Sequence, residues 1–221
     1  VTSLPDDRER LAEKIRASEA SFAAEVSFNG EESYFFVLED TGSGRLVGCS
    51  GIVATAGFSE PFYSFRNETF VHASRELNIL NRIHVLSLCH DLTGNSLLTS
   101  FYMQPELENS QWAELNSRGR LLFVASHPER FELMPSYPIY VPLLPDSAQE
   151  AMGQVHPRSQ VSFAILMREG FETEHYVDIF DGGPTVHART SGIRSIAQSR
   201  LVPVRLGAPA QVGRPYLVAN I

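Results

Sequence analysis

Between residues 34 and 103 the chain breaks into short β-forming segments joined by turns bearing Gly, Asp and Pro, a pattern that commits it to an antiparallel sheet. Tyr34-Phe35-Phe36-Val37-Leu38 and residues 46–56 flank the turn Asp40-Thr41-Gly42-Ser43-Gly44, which predicts a hairpin of aromatic and β-branched residues. Residues 65–73, 83–89 and 97–103 continue the sheet after a proline-containing loop at 60–63. Helices flank it. Ser3-Leu4-Pro5-Asp6-Asp7 precedes the periodic run Leu11, Ile15, Ser18, Phe22, an amphipathic helix whose apolar face is expected to cover the sheet. Residues 116–126 read as a second helix stopped by Pro128. Val161, Ala164, Ile165 and Met167 mark a third, which starts at Pro157 and ends at a left-handed Gly170. Residues 137–143 are extended, with prolines that confine them to an edge, a bulge or a strand end. Residues 175–180 form a last clear strand, and segments at 201–206 and 216–219 suggest a small C-terminal β appendage. The expected class is α/β (α+β): a mixed, mostly antiparallel twisted sheet flanked by helices.

Charge and composition narrow the partners. Eighteen Lys and Arg against 26 Asp and Glu leave a net charge of −8 with no basic run, which argues against nucleic acid and anionic membrane and for a small molecule or another protein. No stretch approaches the roughly 20 apolar residues of a membrane span. Cys49 and Cys89 sit in apolar segments without metal-type spacing, so no metal is expected, and reduced thiols point to a cytoplasmic setting.

Three segments carry chemistry. In the first, a strand at 97–103 leads through a polar loop to Ser117, Arg118 and Gly119 at the expected amino end of a helix. There, backbone amides and the helix dipole suit a pyrophosphate, and Arg118 or Arg120 can add charge-assisted bonds. An ordinary strand-loop-helix connection reads the same way. The second is Met167-Arg168-Glu169-Gly170-Phe171, a helix closed by Gly-Phe before a strand. The third is Gly153-Gln154-Val155-His156-Pro157, which places an imidazole where a helix starts; histidine titrates near neutrality and can move a proton between an amine and a thiolate. A capping role fits the same position, and these residues alone do not separate His156 from the other histidines. Cys89-His90-Asp91 is not a triad, because neighbours on an extended chain face opposite ways.

The helix ending resembles that of the GNAT acyltransferase superfamily. Six strings in series resemble the arginine N-succinyltransferase family, most of all the α chain of its two-chain form. They are Glu60-Pro61-Phe62-Tyr63-Ser64-Phe65-Arg66, His72-Ala73-Ser74, His90-Asp91-Leu92-Thr93-Gly94-Asn95-Ser96, Glu132-Leu133-Met134-Pro135, residues 153–157, and Asp178-Ile179-Phe180-Asp181-Gly182-Gly183-Pro184. The resemblance implies a GNAT-like fold and, in arginine catabolism, transfer of succinyl from succinyl-CoA to the α-amino group of L-arginine, with ornithine a second acceptor. It also implies that His156 is catalytic and that Phe101 contacts succinyl-CoA.

On that footing the backbone from Ser100 through Tyr102 to Met103 is expected to receive the thioester oxygen. Arg66 is expected to select the succinyl carboxylate, and Asp91, Asp178 or Asp181 the arginine guanidinium, although each aspartate equally suits a turn. Family members are longer than this chain, with more residues before Val1, after Ile221 and between Phe131 and Glu132. We therefore expect an acyltransferase domain at 1–184 with an internal gap at 131–132, and an incomplete β-rich extension at 185–221. A homo-oligomer, or a hetero-oligomer with a related β chain, is expected. Two alternatives remain at this point: an acyl-CoA-dependent enzyme for another amine, and a non-catalytic partner subunit.

Overall fold

The aromatic run forms its hairpin as β1 (Ser33–Asp40) and β2 (Arg45–Val53), in register from Ser33↔Val53 to Asp40↔Arg45. In this computed structural model, which describes residues 4–26, 30–59, 61–74, 76, 78–131, 152–173 and 175–199, β5 (Leu97–Met103) pairs antiparallel with the other edge of β2. The order is β1-β2-β5.

The two intervening strands leave that sheet. β3 (Ser64–Ser74) and β4 (Ile79–Cys89) pair along their whole length, and β6 (Tyr176–Asp178) joins β3 at Ser64, Phe65 and Arg66, giving a second antiparallel sheet ordered β4-β3-β6. The single continuous sheet expected from sequence is thus two three-stranded sheets among the described residues. The reason lies just past β2. There Ala56 donates to the Asn95 carbonyl (2.8 Å) and accepts from Gly94 N–H (2.7 Å), so turn-to-turn bonds replace strand pairing where β3 would have continued the ladder. β6 is three residues long, shorter than expected, because His175 turns the chain before it (φ 63°). Asp178 turns it afterwards by accepting from Phe180 N (2.7 Å) and Asp181 N (3.2 Å).

Helix α1 (Arg8–Ala23) starts where Asp7 caps it, accepting from Glu9 N and Arg10 N. Its link to the sheet is polar. Ser18 Oγ accepts from Phe35 N (2.8 Å) and Ser21 Oγ from Ser33 N (3.0 Å), so the helix satisfies edge-strand amides of β1, while Ile15 and Phe22 stay 40% and 42% exposed. Phe22 still meets Tyr34, Phe36 and Phe123 edge-on at 5.1 to 5.6 Å. Arg130 locks the helix end by donating to the Ser21 and Ala24 carbonyls (3.0 Å each) and to the Tyr34 hydroxyl (2.9 Å). A cation at a helix C-terminus also complements the dipole there.

Helix α2 (Gln111–Ser126) begins five residues earlier than the sequence predicts, because Ser110 caps it through Trp112 N (3.2 Å). Its buried face is Ala113, Asn116, Ser117, Arg120, Leu121 and Val124, the three-and-four spacing of a helix against a sheet. Helix α3 (Gln160–Glu169) ends at left-handed Gly170 (φ 97°), with Phe171 N returning to the Leu166 carbonyl (3.1 Å). Helix α4 (Arg194–Ala197) follows a 3₁₀ turn at Thr190–Gly192.

Three apolar clusters join these elements. Tyr34, Ile52, Ala54 and Val124 form one; Met103, Ala113 and Ile165 a second; Leu121, Phe171 and Ile193 a third. A fully buried side chain such as Ile52 contributes about 1.5–3 kcal/mol. Ile196 packs on the first and third clusters and Val186 on the third, so the core crosses the domain boundary expected after Pro184. Residues 185–199 hold an isolated bridge at His187, the 3₁₀ turn and α4. The expected segments at 137–143, 201–206 and 216–219, and the string 132–135, lie outside the described residues. Among the described residues no helix is long and apolar enough to cross a membrane.

Candidate active site

β2 and β5 part at one place. Cys49 pairs with Tyr102 and Gly51 with Thr99, so Ser50 alone faces both Ser100 and Phe101. That is a bulge on β5, and Ser100 takes the left-handed conformation there (φ 55°), which a serine adopts only when its surroundings impose it. Helix α2 supplies those surroundings. Asn116 Nδ2 donates to the carbonyls of Cys49 (2.9 Å) and Tyr102 (3.1 Å), and Arg120 Nη1 donates to the carbonyl of Thr99 (3.3 Å). The strand is held open from both sides of the bulge. Cys49 also donates to the Ser100 carbonyl (3.5 Å), and burial, only partly offset by Lys14, pushes its thiol up, away from the reactive thiolate.

His156 is exposed and caps the 3₁₀ turn Pro157–Ser159 that leads into α3. Its Nδ1 accepts from Arg158 N–H (3.2 Å), so in the neutral ring the proton sits on Nε2. Helix α3 ties this corner to the bulged strand, since Val161 and Phe101 pack on the same cluster as Met103 and Ile165. The segment before His156 is tied to the turn after β6, where Gly153 N donates to the Gly182 carbonyl (2.8 Å).

Arg118 and Gly119 do not lie at a helix amino end. Both fall inside α2, where backbone amides bond within the helix, so the pyrophosphate cradle expected of them is absent from that position. The Arg118 guanidinium is engaged as well, by Glu169 (2.8 Å) and Glu114 (2.9 Å). Glu169 is 1% exposed; burial pushes its carboxyl up, but the bonds from Ser195 and Arg118 outweigh that and hold it below the usual carboxylate range. A Cβ on Gly119 would meet nothing within 4 Å. We therefore expect Gly119→Ala to stabilise the protein by about 0.4–1 kcal/mol in urea unfolding and to leave the KM for succinyl-CoA unchanged. A raised KM would restore the cradle.

Arg66 and Asp91, expected to bind opposite ends of two substrates, bind each other. Arg66 Nη2 donates to Asp91 Oδ2 and to the Tyr176 hydroxyl (3.1 Å), the hydroxyl donates to the same Asp91 oxygen (3.1 Å), and the guanidinium lies 5.4 Å from the Tyr176 ring centre. The neighbouring charges largely cancel, and Glu68 adds a further anion 3.7 Å from Nη1. Asp178 and Asp181 close the turn after β6, Asp181 by accepting from Gly183 N (2.8 Å), so both aspartates serve backbone amides rather than stand ready for a guanidinium. Cys89 is buried against Ser64 while Asp91 faces Arg66, in line with the rejection of a triad. Among the described residues no cluster of three or more His, Cys, Asp or Glu is placed to hold a metal.

The family model described as "AstA: Arginine N-succinyltransferase beta subunit" matches residues 1–132 and 131–195. The chain belongs to the arginine N-succinyltransferase family. It is 66% identical over 269 aligned positions to the arginine N-succinyltransferase subunit alpha of Pseudomonas aeruginosa, an alignment that takes in 100% of this chain and 80% of that one. It is 34% identical over 270 positions to the arginine N-succinyltransferase of Salmonella paratyphi B, covering 100% of this chain and 78% of that one. The solved structure of arginine/ornithine succinyltransferase subunit AI from Pseudomonas aeruginosa superposes with a TM-score of 0.82 at 68% identity, over 92% of this chain and 74% of that one. The family model carries the beta name, whereas the Pseudomonas relative matched over the whole chain is named subunit alpha and the solved structure subunit AI. The two matched segments meet at residues 131–132, where the sequence suggests a junction.

Membership in this succinyltransferase family directs attention to the bulge and to His156. Of the residues singled out in sequence, the structure gathers Ser100, Phe101, Tyr102 and Met103 on one bulged strand and sets the helix that follows His156 against it. Arg66 and Asp91 form their own cluster with Tyr176, while Asp178 ends β6 and Asp181 lies in the turn after it. Sequence reasoning missed Asn116, and it placed Arg120 at the helix start instead of beneath the bulge. The available signal was the spacing Ala113, Asn116, Ser117, Arg120, Leu121, which is one helical face.

Proposed function

We infer that this chain is an arginine N-succinyltransferase, an acyltransferase that moves the succinyl group of succinyl-CoA to the α-amino group of L-arginine. The structural observation that carries the reading is the interrupted β2–β5 ladder at Ser100–Phe101 in a chain 66% identical to a succinyltransferase subunit. A bulge turns backbone groups out of the ladder, and amide N–H groups aimed at a thioester oxygen stabilise the anion that develops there by about 3–4 kcal/mol. The amine nitrogen attacks the carbonyl carbon, the C–N bond forms and the C–S bond breaks. One proton leaves the nitrogen and one reaches the departing sulfur.

His156 is our residue for that proton traffic. With Nδ1 accepting from Arg158 N–H, the neutral ring presents Nε2–H as a donor to the oxyanion or the leaving sulfur. Taking the amine's proton at Nε2 requires the other tautomer, in which the Arg158 bond is given up; an exposed ring makes that exchange through water. Phe101, with Ser100, Tyr102 and Met103, lines the acyl-CoA side of the site in this reading. The order of a meander, a helix and a Gly170-Phe171 helix ending supports a GNAT-like architecture. Ornithine is a second acceptor, suggested by the name of the Pseudomonas structure, and the subunit alpha name of the Pseudomonas relative supports an oligomer with a related β chain. Steady-state rates with succinyl-CoA and acetyl-CoA, each against arginine, ornithine and lysine, test the assignment. The highest kcat/KM belongs to succinyl-CoA with arginine; preference for acetyl-CoA or for another amine would replace it with a different acyltransferase.

A further inference from the structure

Arg120 is 2% exposed, one of the least accessible side chains in the protein. Among the described residues its donors reach neutral acceptors: Nε the Ser117 carbonyl (3.5 Å), Nη2 the Ser117 hydroxyl (3.2 Å) and Nη1 the Thr99 carbonyl (3.3 Å). Its guanidinium carbon lies 5.5 Å from the centre of the Phe101 ring. Among the described residues no carboxylate pairs with it, and burial alone lowers its pKa to about 10, which still leaves it charged at neutral pH.

A charge buried without a counter-ion is costly, and an apolar residue of similar length would fill the same space without that cost. Packing therefore does not explain an arginine here. Its surroundings do. Thr99 precedes the left-handed Ser100, Phe101 completes the bulge, and one turn earlier on α2 Asn116 grips Tyr102 on the far side. Because the guanidinium is sealed from solvent, it does not touch the phosphates of coenzyme A or the succinyl carboxylate. Whatever it does for the reaction passes through the strand it holds.

We propose that Arg120 is a positioning residue for acyl transfer. It keeps the Ser100–Phe101 bulge open through the Thr99 carbonyl and places a fixed positive charge behind the point where the thioester oxygen becomes an anion. The inference rests on the succinyltransferase reading above. It deepens that reading by naming what sets the geometry of the bulged strand.

The test compares Arg120→Met and Arg120→Lys with the wild-type chain under succinyl-CoA and arginine, with circular dichroism to establish folding. Arg120→Met is expected to lower kcat about 100-fold, the scale of losing one oxyanion donor, with the KM for succinyl-CoA within about threefold of wild type. Arg120→Lys keeps the charge but not the planar fork, so its kcat is expected to recover to roughly a tenth of wild type. A purely structural role would move KM, kcat and the unfolding temperature together and would show no recovery with lysine. The proposal is overturned if a folded Arg120→Met turns over like wild type, if lysine is no better than methionine, or if neither variant folds. A wild-type chain without turnover would instead refute the activity.

Discussion

His156→Ala is expected to lower kcat for arginine succinylation roughly 10²- to 10⁴-fold, the range of a general acid or base. The fold should survive the change. The ring is exposed, and the bond its Nδ1 accepts from Arg158 N is a cap of the kind that contributes about 1 kcal/mol. His156→Gln separates the two roles, because an amide oxygen can accept from Arg158 N–H while no amide carries protons near neutral pH. We expect His156→Gln to unfold at the wild-type temperature and to be as inactive as the alanine variant. If glutamine restored turnover, capping would be the whole role of this residue.

Gly48→Ala is expected to destabilise the protein by about 1–3 kcal/mol, read as a lower urea midpoint at constant m-value. A Cβ on Gly48 would sit 2.9 Å from the Tyr102 carbonyl, 2.5 Å from Met103 Sδ and 3.2 Å from Asn116 Nδ2. The thioether can swing aside, but the Tyr102 carbonyl is β5 backbone, so the strand must move. That movement occurs where Asn116 bridges Cys49 to Tyr102, one residue past the bulge. Turnover should therefore fall along with stability. A variant as stable and active as wild type would mean that β2 and β5 tolerate separation and that the bulge geometry is not held as described.

The local order of this fold is legible in sequence where short-range chemistry decides it. The 34–56 hairpin follows from aromatic and β-branched runs around a turn, and the end of α3 follows from Gly170 before a buried Phe171. Long-range pairing is not legible. Whether β3 extends the first sheet or founds a second depends on bonds between Ala56 and residues 94–95, which no periodicity announces. The sequence starts α2 at Asn116 because the polar residues before it look like loop, whereas the Ser110 cap starts the helix at Gln111.

The site divides in the same way. His156 at a helix start can be read from Pro157, and the open strand near Ser100 is expected from the family resemblance. Charge pairing is less legible, because a sequence does not show who neutralises whom. Arg66 on β3 and Asp91 just past β4, 25 positions apart, pair directly, and the Tyr176 hydroxyl bonds both. Arg118 was aimed at a pyrophosphate and instead serves the buried Glu169.

Thiol release from succinyl-CoA by the purified single chain tests the assignment most directly. Release that requires L-arginine, yields one thiol per succinylarginine and disappears in His156→Ala is the predicted result. A folded chain that binds succinyl-CoA yet releases no thiol with arginine would contradict the account and leave it the role of a supporting subunit.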